Sequence, residues 1–135
     1  MALVVIHGPT IAAGESLSDA VNVSDGTLVR LTMPAEWTDA DLTFQISTDG
    51  VEYNDMYDHH GAEVTCVCTP GVGIIFPRDF LAGIGFIKFR SGHADHPRPQ
   101  PEQRLFAVAV LLASAPAQSG EDDEQNMPVQ QPVRA

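Results

Sequence analysis

Leu42-Thr43-Phe44-Gln45-Ile46-Ser47-Thr48, followed at once by Asp49-Gly50, decides the fold class of this 135-residue chain. Leu42, Phe44 and Ile46 alternate with polar residues, the period of two that puts every second side chain of a strand on one face. Asp49-Gly50 then supplies a turn, because glycine tolerates the positive φ that a two-residue type I′ hairpin demands. Residues 51–57 are expected to return as the partner strand.

Working outward, the same criteria assign strands to residues 2–6, 16–23, 27–33, 62–68, 72–76, 85–90 and 105–112. Turn signals separate them at Asp25-Gly26, His60-Gly61, Pro70-Gly71 and Ser91-Gly92. Within 85–90, Ile87 and Phe89 should point inward while Lys88 and Arg90 face water. Residues 105–112 are apolar on both faces, so they form either a central strand or one in a subunit contact. Residues 36–41 and 78–81 have room for one helical turn each. Many short strands divided by turns predict an all-β chain, an antiparallel β-sandwich or jelly roll, in preference to a βαβ fold.

Composition narrows the function. An apolar share of 44% is that of an ordinary globular domain. Eighteen acids face seven bases, and the net charge of −11 argues against nucleic acid or an anionic membrane as partner. No stretch approaches the roughly 18 apolar residues of a membrane span. Met1 to Ile6 is apolar but lacks a basic flank, so it does not read as a secretory signal and fits synthesis in the cytoplasm.

Two segments separate. Residues 1–113 hold every aromatic residue, whereas 114–135 read SAPAQSGEDDEQNMPVQQPVRA, rich in Pro, Gln and acid. Such a tail buries too little apolar surface to offset its ordering entropy, so it should be flexible alone and ordered only against a partner.

Cys66 and Cys68, two apart, share one face of an extended strand. Three readings stay open: small buried hydrophobes, disulfides to a neighbouring subunit, or metal and redox work. His7, His59, His60, His93 and His96 lack zinc spacing and read as loop histidines. Asp49, Glu52, Asp55 and Asp58 lie close together but not in EF-hand order, so calcium is the weaker explanation of that loop. Trp37 reads first as a core-capping residue and second, with Tyr53 and Tyr57, as an exposed platform for a sugar. No phosphate loop, nucleophile elbow or HExxH motif occurs, and the sequence implies neither catalysis nor a cofactor.

One long stretch resembles a known family. IAAGESLSDAVNVSDGTLVRLTMPAEWTDADLTFQISTDGVEYNDMYDHHGAEVT at 11–65, with FPRDFLAGIGFIKFRSG at 76–92, is similar to small structural proteins of tailed-bacteriophage virions. The similar elements are AGESLSDAV, MPAEW, LTFQISTDG, the YD and GAEV pair, and IKFRSG. Cys66, Cys68 and the acidic tail lie outside the pattern.

The resemblance implies a β-sandwich used as a capsid decoration, fibre base or adhesion module, with no catalytic residues. The expectation is therefore a virion protein, a decoration or cement subunit that binds the major capsid protein or other virion proteins and forms a homo-oligomer. A disulfide through Cys66 or Cys68 would lock such a lattice in an oxidising exterior. The alternatives are a glycan-binding adhesion module built on Trp37, Tyr53 and Tyr57, or a component of the neck, tail or fibre. A metal enzyme using the cysteines and histidines is the remotest rival.

Overall fold

The computed structural model describes residues 2–112, so the expectations for the tail at 114–135 lie outside the described residues. Among the described residues nine strands follow in chain order: β1 (Ala2–Ile11), β2 (Leu17–Asn22), β3 (Gly26–Thr32), β4 (Leu42–Ser47), β5 (Asn54–Asp55), β6 (Gly73–Ile75), β7 (Phe86–His93), β8 (His96–Pro97) and β9 (Arg104–Leu112). Among the described residues there is no helix. The segment 78–81 forms successive turns instead, with Phe80 N–H donating to Pro77 and Ala82 N–H to Asp79. It is too short for helix propagation to offset nucleation.

The strands form two antiparallel sheets packed as a β-sandwich. Sheet A runs β1-β9-β3-β6, and sheet B runs β2-β7-β4-β5 with β8 attached to β7. The pairing is nested: β1 with β9, β2 with β7, β3 with β6, β4 with β5. The chain is thus wrapped like a long folded hairpin, and β9 is a central strand between β1 and β3. That position explains why residues 105–112 are apolar on both faces.

A ladder of aromatic rings joins the sheets. Phe44 on β4 meets Phe89 on β7 edge-to-face at 5.4 Å, and Phe89 meets Phe106 on β9 at 5.1 Å. Trp37 closes the series against Phe106 at 5.7 Å. These geometries suit the ring quadrupoles and add about 0.5–1.5 kcal/mol per pair beyond area burial. Leu28, Leu31, Leu42, Ile87 and Val108 fill the space around them.

Gln100 is a large polar side chain that is fully enclosed. Gln100 accepts at Oε1 from Thr38 N–H and Arg104 Nε, and donates from Nε2 to the Thr38 carbonyl and Ser91 Oγ, each at 2.9 Å. All its principal hydrogen-bonding capacity is used, which is the condition for burying an amide without penalty.

The hairpin after β4 is wider than expected. Gln45 pairs with Asp55 and Ile46 with Asn54, leaving residues 47–53 as the connection. The reason is local competition for donors. Asp49 Oδ1 accepts from Val51 N–H at 2.8 Å, Glu52 N–H at 3.1 Å and Ser47 Oγ at 3.1 Å. Gly50, at φ +79°, makes the bend. Residues 62–68 likewise make only two isolated bridges, Tyr57 to Glu63 and Leu42 to Cys66, with Val64, Cys66 and Cys68 turned toward the core.

Candidate functional site

Strand alternation leaves the outer side of sheet A apolar. Cross-strand register sets Leu3, Leu111 and Thr27 in one row and Val5, Ala109, Arg30 and Ile75 in the next. Leu3 is 55% exposed, Val5 49% and Ile75 79%. Leu105, further along β9 on the same side, is 51% exposed, and Phe80 is another exposed apolar residue. Leu3, Val29, Ile75 and Leu111, with Arg30 and Arg78, line a cleft of about 420 Å³. Among the described residues, no acid lines it. Among the described residues this face is thus apolar, with Arg30 beside it.

The outer side of sheet B is different. Arg90 was expected in water, but its side chain is only 7% exposed. The segment 55–66 covers it. Its guanidinium donates to Asp55 Oδ1 and Glu63 Oε2, both at 2.8 Å, and through Nε to Thr43 Oγ1 at 3.0 Å. Glu63 also accepts from Ala94 N–H at 3.0 Å. His93 lies between Asp41 at 3.3 Å and Glu63 at 3.4 Å. The Arg90 hydrogen bond holds the Asp55 carboxyl below the usual range against the opposing effect of burial. This network clamps an irregular segment to the sheet, and no pattern in the sequence announced it.

The residues singled out from the sequence are dispersed. Trp37 is in the core, 8% exposed, with Nε1 donating to the Ala40 carbonyl at 3.1 Å. Tyr53 sits on the loop after β4 beneath Lys88 Nζ, 4.3 Å from the ring centroid. Tyr57 is 55% exposed. Since the Trp37 ring faces Phe106 inside the sandwich, the three aromatics do not line one groove.

Cys66 and Cys68 are free thiols, the first half-buried and the second buried in the core. Cys68 Sγ donates to the Ala40 carbonyl at 3.4 Å. Burial, then Cys66, Asp41 and Asp39, push the Cys68 thiol up to about 12, and burial followed by Asp41 raises that of Cys66. Both are held as thiols, the less nucleophilic form.

The acidic loop spends its carboxylates locally. Asp49 accepts from its own turn, Asp55 from Arg90, and Asp58 from His60 and Ala62 N–H groups at 2.8 and 3.0 Å. The Val51 and Ala62 amides respectively are the main causes that lower the Asp49 and Asp58 pKa values. A polar cleft of about 490 Å³ is lined by Asp39, Asp41, His93, His96 and Arg98. Among the described residues, no three His, Cys, Asp or Glu side chains gather to hold a metal ion.

No family model, curated protein or solved structure matches the chain.

Proposed function

We propose that this chain is a structural component of a bacteriophage virion, a decoration protein that binds the outer capsid surface. The observation that carries the reading is the apolar outer face of sheet A, where Leu3, Val5 and Ile75 stand exposed beside Arg30. A face of this kind exposes apolar area to water when the protein is alone and gains by docking on a surface. The nested strand order supports the same reading as a jelly roll, an architecture that viral capsid and lectin domains share. Fold alone does not assign a task, so the weight rests on the face.

The sequence resemblance at 11–65 and 76–92 points the same way. The partner would be the major capsid protein, presenting apolar groups and carboxylates to the Arg30 margin. Repetition on a lattice multiplies contacts that are individually weak. The burial of Trp37 removes the ring on which the glycan-binding alternative relied.

Quantitative mass spectrometry of purified particles tests the reading. A copy number comparable to the major capsid protein is the expected result. A few copies per particle would move the protein to the neck, tail or fibre, and absence from particles would end the virion reading. In reconstitution, Ile75→Lys should weaken attachment without unfolding the domain, because Ile75 is 79% exposed.

A further inference from the structure

β1 is the open edge of sheet A, with β9 on one side only. Residues 2–7 pair in register with Leu112 to Ala107. Among the described residues, no other strand or loop takes up their backbone groups. Alternate residues of an antiparallel edge aim both N–H and C=O away from the sheet. Such a row is complementary to one kind of ligand, another extended strand.

The side chains make the same case. A strand that only caps a sandwich hides one face and wets the other. Ala2, Leu3, Val4 and Val5 are exposed in unbroken succession, so both faces of the strand are open. Leu3, Val4 and Val5 are 55%, 38% and 49% exposed.

Charge selects the occupant. No charged side chain occurs from Met1 to Ile6, in a chain of net charge −11. The other edges differ: β2 carries Asp19, β5 carries Asp55, and β6 is three residues long. Among the described residues, β1 alone lets two copies of this acidic chain present a long edge to each other without apposing carboxylates. Antiparallel pairing of β1 with its own copy uses one patch twice about a twofold axis and closes at the dimer.

We propose that two copies of this chain join through residues 2–7 of β1, fusing their sheets A into one continuous sheet. The apolar outer face then runs unbroken across the axis. The dimer is a property of the protein in solution and stands or falls independently of the virion reading. A contact made by one strand edge is small, so association is expected on the order of micromolar.

Sedimentation equilibrium of the full chain, across concentrations either side of micromolar, tests the proposal alongside amide hydrogen exchange. The mass should climb from 14.5 kDa to twice that value. Alternate amides in 2–7 should gain protection over the same range. Val5→Lys should weaken the dimer at least about tenfold, since charge on an edge opposes pairing, while Val51→Lys, on the loop after β4, should leave it intact. A monomer with unprotected amides at every concentration would overturn the proposal. So would protection that persists at every dilution, which would assign the edge to the chain's own residues 113–135. A trimer, or a dimer formed without protection of 2–7, would overturn it as well. The exchange pattern of the unmodified chain decides the matter even where Val5→Lys fails to fold.

Discussion

Arg90 and Glu63, 27 residues apart in the chain, meet at 2.8 Å on the outer side of sheet B. Glu63 lies in the GAEV stretch and Arg90 in IKFRSG, and nothing in either stretch says that the two meet. Buried guanidinium groups need every partner, because charge removed from water is costly unless compensated.

Arg90→Met should therefore destabilise the fold by about 3–5 kcal/mol, leaving Asp55 and the largely buried Glu63 without their guanidinium partner. Urea unfolding measures the loss. Adding Glu63→Gln should recover part of it, and an additive double mutant would refute the coupling.

Asp55 gives a pH signature. Its folded pKa is depressed, chiefly by the Arg90 hydrogen bond. The stability it contributes is thus present above the unfolded value near 3.9 and is lost as pH falls through the lower folded value. Its side chain is 38% exposed, so solvent screening holds the effect to about 1 kcal/mol or less. Asp55→Asn should be less stable than the unmodified protein at pH 7, and the gap should close below about pH 4. A gap that widens in acid would contradict the assignment.

Gln100 joins four groups of three residues, Thr38, Ser91 and Arg104. Gln100→Leu strands the Thr38 amide and the Arg104 guanidinium, at about 1–3 kcal/mol for each buried group left unsatisfied. Thermal unfolding should show the drop, and an unchanged melting temperature would mean that water replaces the amide.

Gly92 lies in β7 at φ +92°, with an added Cβ placed 2.6 Å from both Arg98 N and the His96 carbonyl. Gly92→Ala must both clash and hold a left-handed backbone, so it should cost at least about 1–3 kcal/mol. Equal stability in chemical denaturation would show that β8 can shift.

Cys68 should react slowly with a thiol reagent. With its pKa near 12, the thiolate fraction at pH 8 is about a thousandfold below that of an unfolded cysteine. Cys66, half-buried, should react first, and denaturant should equalise the two. Fast labelling of Cys68 in the native protein would refute its burial.

Much of the fold was legible because the strand signal is local. The alternation of Leu42, Phe44 and Ile46, and of Ile87 and Phe89, is carried by neighbours in sequence, and these side chains lie in the core, with Ile46 partly buried against it. The loop after β4 was less legible. Asp49-Gly50 marks a turn, but its length depends on Ser47 and Asp49 taking backbone donors from a tight hairpin. Of the apolar face of sheet A only the two-sided apolarity of residues 105–112 was legible, since Leu3, Ile75 and Leu111 become neighbours only through register across β1, β9, β3 and β6.

By itself the sequence determined an all-β chain of short strands, because period two and turn chemistry act within a few residues. It also determined the acidity and the uncharged start. Tertiary structure decided which apolar residues stay in water, why Arg90 is dry, and where Trp37 points. Those outcomes depend on which distant segment covers a face, and burial is a property of the packed pair of sheets rather than of any one strand.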